Sequence, residues 1–140
     1  MTGDQPTPGC PAGWYVAFFD GDRPKWWWRL CRPGFRHVCA FGFAAEECVW
    51  LVYDVTLKRT FVHALSPVAF DRWYAALPAH RTVLHYLPEK ADPPAWRFGF
   101  WCTIAVAHLL ALRTRALRPQ ALYADLIAHG ARPAFESEAA

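Results

Sequence analysis

The stretch RHVCAFGF (36–43), AAEE (44–47), CVWLVYDV (48–55) decides how this chain is read. Apolar and β-branched residues fill both flanks and a short segment separates them, which is the pattern of a β-hairpin. With AAEE as a four-residue loop, Phe43 faces Cys48, and the pairing runs through Phe41–Trp50 and Cys39–Val52 to His37–Asp54. Opposite residues of antiparallel strands share a face, with Cβ atoms about 5 Å apart. The expected register therefore sets a histidine beside a carboxylate at the open end of the hairpin. A carboxylate so placed fixes an imidazole's tautomer and stabilises its charged form. A slip of one residue would send the two side chains to opposite faces.

Upstream, WYVAFF (14–19) reads as a strand, DGDRP (20–24) breaks it, and KWWWRL (25–30) is a second candidate strand, ended by Arg32-Pro33-Gly34. Downstream, KRTFVH (58–63) and TVLHYL (82–87) are strand-like, while PVAFDRWYAAL (67–77) places Val68, Phe70, Trp73 and Leu77 at helical spacing. A polar, proline-broken loop, EKADPPA (89–95), follows. The C-terminal third predicts two helices. One starts near Cys102 and ends by Arg113 or Arg115; the other starts at Pro119 and stops at Gly130. The expected class is α+β, an antiparallel sheet of four to six strands with about three helices. The expected organisation is an extended arm over 1–12, a single domain over 13–132 and a loose tail over 133–140.

Composition agrees with one well-packed domain. The chain has 140 residues, 54% hydrophobic and 16% aromatic, with only 19% charged, which excludes disorder over most of its length. A net charge of +3 is too mild to argue for nucleic acid, which needs clustered positive charge. The apolar run FGFWCTIAVAHLLAL (98–112) is shorter than the roughly 20 residues of a membrane span and carries His108, so no span is expected. Five cysteines, an odd count without a C-x-x-C pair, speak against a secreted disulfide framework. They read as reduced thiols of a cytoplasmic protein, or of one assembled into a larger particle in the cytoplasm. No motif calls for a cofactor.

Cys102 stands at the expected start of the apolar helix. There the helix dipole and unpaired N–H groups lower a thiol's pKa, and a nearby histidine lowers it further and supplies acid–base catalysis. The Cys102 N–H is also placed to donate to an oxyanion. The bland reading of Cys102 is a core residue, of His37 a half-exposed strand residue, and of Asp54 a turn former. Three separate placements converge on a Cys102–His37–Asp54 site, with the aromatics Trp50 and Trp101 expected to wall a substrate groove.

The order strand histidine, next-strand polar residue, helix-start cysteine resembles the circularly permuted branch of the papain-like, NlpC-type cysteine hydrolases. The strings Arg32-Pro33-Gly34-Phe35-Arg36-His37, Trp101-Cys102-Thr103 and Arg118-Pro119-Gln120-Ala121-Leu122-Tyr123 are similar to those of small phage-encoded proteins of this kind. The resemblance runs from about Trp14 to Gly130. It implies a permuted papain-like fold with His37 as base, Asp54 as orienting residue and Cys102 as nucleophile. It further implies a peptide or peptidoglycan-like substrate and phage structural proteins as partners.

Zinc is the rival chemistry, since His37, Cys39, Cys48 and Asp54 share one face in this register. Cys39 and Cys48 sit at ladder positions four residues apart, about 13 Å, so Zn–S bonds of roughly 2.3 Å cannot join both to one ion. A site of His37, Cys39, Asp54 and Cys102 is the remaining metal alternative; no metal is expected. Trp26-Trp27-Trp28 reads as a structural interface, and Arg113, Arg115 and Arg118 as a basic helix end. Two function classes remain: a cysteine hydrolase, possible also as part of a phage particle, and a non-enzymatic virion or tail protein using a papain-like fold for docking.

Overall fold

A computed structural model describes residues 9–21, 25–56, 59–88 and 101–134, with the backbone alone at Trp101. The expected loop 89–95 and the outer parts of both termini lie outside the described residues. The fold is α+β: a six-stranded antiparallel sheet with three helices. The strands are β1 (Trp14–Phe19), β2 (His37–Ala44), β3 (Val49–Val55), β4 (Thr60–Leu65), β5 (Thr82–Tyr86) and β6 (Arg132–Pro133). Their spatial order is β4-β3-β2-β1-β5-β6. The helices are α1 (Pro67–Ala75), α2 (Trp101–Leu109) and α3 (Pro119–Ala128).

Alternation on the central strands builds two cores. Val16, Phe18, Val38 and Ala40 face one side, where they meet Val106, Leu110, Leu122 and Leu126 of the α2–α3 layer. Ala17, Phe19, Cys39 and Phe41 face the other, where α1 contributes Phe70, Trp73 and Tyr74. β1 and β2 are buried on both faces because helices cover both, which explains their nearly unbroken apolar sequences.

KWWWRL is not a strand. Trp26–Leu30 forms a 3₁₀ helix with no buried residue. Both edges of β1 are taken, by β2 and β5, so a strand directly after it cannot pair with β1. Asp20 Oδ1 accepts the Gly34 N–H at 2.8 Å, tying the ends of this excursion together. The indoles find cations instead: Lys25 Nζ lies 5.0 Å from the Trp27 ring and the Arg36 guanidinium 4.8 Å from Trp28.

The helix through Cys102 is also shorter than expected, ending at Leu109 rather than Arg113 or Arg115. Ala111 adopts φ 50, and the Leu112 N–H reaches back to Ala107 O at 3.0 Å, a Schellman-type stop. The early stop lets Leu110 and Leu112 both enter the core, each 1% exposed. At the termini, Pro11 packs onto Gly42, where an added Cβ would meet its ring at 2.7 Å. Pro133, at the start of the expected tail, closes β6 against Leu84.

Phe41 joins the sheet to α1: it is 1% exposed and its ring touches Tyr15, Trp50, Phe70, Trp73 and Tyr74. Replacing it with alanine should cost about 3–5 kcal/mol, measured as a lowered urea midpoint at unchanged slope.

Candidate active site

β2 and β3 do form a hairpin, but two residues out of the expected register. Phe43 pairs with Trp50, Phe41 with Val52 and Ala40 with Tyr53. The turn runs over residues 45–48, and Cys48 takes a left-handed φ of 54. Ala44 therefore still belongs to β2, and the pairing moves by an even number. An even shift preserves which residues share a face, so His37 and Asp54 remain on one side. They become diagonal neighbours, and Cys39 takes the position that a continued register sets opposite Asp54.

Diagonal neighbours are within reach of long side chains, and this pair uses that reach. His37 Nε2 and Asp54 Oδ1 lie 2.6 Å apart. Phe19 packs edge-on against the imidazole, with ring centroids 5.3 Å apart. Cys39 between them is fully buried, and its small side chain leaves the diagonal open. Burial pushes the Cys39 thiol well up, with the charges of Asp54 and Cys102 adding to it, so it stays protonated.

The β2–β3 ladder ends at Ala40↔Tyr53, although β2 itself begins at His37. Beyond that rung Val38 pairs with Phe18 of β1, and its N–H favours the charged form of the Cys102 sulfur. Cys102 lies in the first turn of α2, half-buried, within hydrogen-bonding reach of His37. Because Nε2 is engaged by Asp54, Nδ1 is the ring nitrogen left to face the thiol. The structure thus brings together all three residues expected in the site.

Their electrostatics are mutual. Burial works against a charged His37, but the hydrogen bonds to Asp54 and Cys102 and the charges of both outweigh it, so its pKa is pushed up to about 9. Burial likewise opposes a Cys102 thiolate. The hydrogen bond and charge of His37, the Val38 N–H and the Thr103 side chain reverse that, holding the thiol below its ordinary 9.0. The fully buried Thr103 hydroxyl makes no hydrogen bond of ordinary geometry among the described residues. The adjacent sulfur is the acceptor left to it. Both shifts favour a thiolate–imidazolium pair over the neutral thiol and imidazole.

Trp50 falls elsewhere. Trp50 stacks on Phe70 at 4.0 Å in the core under α1, four positions along β3 from Asp54. The Trp101 side chain lies outside the described residues. Among the described residues, no group of three or more His, Cys, Asp or Glu is arranged to hold a metal ion. The contributions of Val38 and Thr103 are absent from the sequence reading. Val38 acts through its backbone, which no residue type signals, and Thr103 reads as core filling on an apolar helix.

Replacing Asp54 with asparagine removes the negative charge that helps raise His37 while leaving the ring buried. The imidazole midpoint, followed by NMR, should move down from about 9, and the Cys102 midpoint should rise. Comparison with protein-family descriptions, with curated proteins and with solved structures finds no match for this chain.

Proposed function

We propose that the protein is a cysteine hydrolase that cleaves an amide or ester through an acyl-Cys102 intermediate. The observation that carries this reading is the 2.6 Å hydrogen bond between His37 and Asp54, with the Cys102 thiol in the first turn of a helix and the interaction of His37 and Cys102 raising the imidazole and lowering the thiol. The Cys102 thiolate attacks the substrate carbonyl carbon, and its electrons pass to the carbonyl oxygen, which becomes an oxyanion. Collapse of this intermediate expels the amine or alcohol, which takes the proton from His37, and leaves a thioester on Cys102. His37, now neutral, removes a proton from water as the water attacks the thioester. Release of the acid restores the thiolate–imidazolium pair. Asp54 keeps the ring oriented and its cation stabilised throughout.

The chain order of these residues, strand histidine, next-strand aspartate, then helix-start cysteine, supports a circularly permuted papain-like arrangement. That arrangement in turn supports a peptide or peptidoglycan-like substrate, and a place in a phage particle assembled in the host cytoplasm. No helix among the described residues is long and apolar enough to cross a membrane. Exposed apolar side chains favour a second reading, a virion or tail docking module: Trp26 is 79% exposed and Leu30 49%. The two readings differ in what they require of Cys102.

Incubation with p-nitrophenyl acetate tests the hydrolase. Wild-type protein should release nitrophenolate in a burst close to one equivalent and carry an acetyl group on the Cys102 peptide. Cys102→Ala should abolish the burst, and His37→Ala should slow it by about 10²–10⁴-fold. Acetylation spread over several cysteines, or a burst unchanged in Cys102→Ala, would contradict the proposal.

A further inference from the structure

The 3₁₀ helix and the turn after it carry more cations than the proposed chemistry uses. From Lys25 to Arg36 the chain has Lys25, Arg29, Arg32 and Arg36 and no carboxylate. Two guanidiniums converge on the inner end of this segment. Arg36, one residue before His37, lies against the Trp28 ring at 4.8 Å and meets Asp20 Oδ2 only at 3.5 Å. Its Nε is buried and has no hydrogen-bond partner among the described residues. Asp20 is already committed through its other oxygen to Gly34. On the opposite side, Arg118 Nη1 donates to Leu30 O at 3.0 Å, with Gln120 Nε2 at 3.5 Å from the same carbonyl. Gln120 Oε1 is buried and likewise has no hydrogen-bond partner among the described residues.

The residue that links these groups to the nucleophile is Cys31, buried directly after Leu30. Burial pushes its thiol up, and the charges of Cys102, Arg118, Arg36 and Asp20 all act on it. The Cys31 N–H donates to Trp28 O at 3.1 Å, so Cys31 sits at the end of the segment that both guanidiniums touch, and Cys102 packs against the same core as the nearby Phe35. Among these groups two fixed cations face one carboxylate, and an Arg stacked on an indole is held flat for two-pronged recognition of an anion.

We propose that Arg36 and Arg118, set about the Trp28–Cys31 segment beside Cys102, form a subsite for a carboxylate. The substrate of the hydrolase is then an acidic peptide or amide with a carboxylate near the carbonyl that is attacked. This assignment rests on the hydrolase reading and adds to it the chemical class of the acyl group.

Iodoacetate and iodoacetamide alkylate the same sulfur and differ in one carboxylate, so the ratio of their rates at Cys102 reports the subsite. That ratio should fall about three- to fivefold in Arg118→Ala, the range of an exposed charge interaction, and be largely restored in Arg118→Lys. Arg36→Ala should lower it as well. High salt should reduce the ratio in wild type more than in Arg118→Ala. A ratio unchanged in both alanine variants, with Cys102 still the fast-reacting thiol, overturns the subsite and leaves the nucleophile intact. Slow, equal labelling of all five cysteines by both reagents overturns the nucleophile, and the subsite with it.

Discussion

The hydrogen bond of 2.6 Å between His37 Nε2 and Asp54 Oδ1 is the contact on which the rest of the site depends. It spans two strands whose ladder has already ended, so the side chains replace the missing rungs. The carboxylate holds the ring, and the charged ring stabilises the thiolate. The Val38 N–H, released by the end of the ladder, supports the same sulfur. A longer β2–β3 ladder would set Val38 opposite Val55 and take this donor away. The open end of the hairpin is thus part of the site.

Burial sets the terms of this arrangement. Both His37 and Cys102 are taken far enough from water to disfavour either charge alone, and each charge offsets the other's loss of solvation. Two further thiols stand close by and stay protonated: Cys39 under the His37–Asp54 pair and Cys31 beside the guanidiniums. Three cysteines of identical chemistry are thereby given different states by position. Only the one facing an imidazole is lowered.

Much of this was legible in the sequence because the strand period is two. The hairpin was read two residues out of register, yet His37 and Asp54 stayed on one face since the error was even. The loop was the source of the error: Ala44 has no turn signature and pairs with Val49, while Cys48, an unusual residue for a left-handed turn position, closes the turn. Cys102 was placed at a helix start by the onset of an apolar run, which local pattern detects well. KWWWRL was misread because aromatic content alone cannot show that both edges of β1 are occupied. The length of α2 was overestimated because Ala111, a strong helix former, sits at a positive φ that only tertiary packing requires. Trp50 was assigned to the groove although its indole belongs to the α1 core, where Phe70 and Phe41 consume much of the aromatic surplus.

The central claim is that the Cys102 thiol loses its proton below its ordinary range because the thiolate is paired with the His37 imidazolium. The ultraviolet absorbance of the thiolate, titrated as the difference between wild type and Cys102→Ser, tests it directly. A thiolate signal with its midpoint below the ordinary 9.0, moving upward in His37→Ala, is the predicted result. A midpoint at or above 9.0, indifferent to His37, would contradict the account.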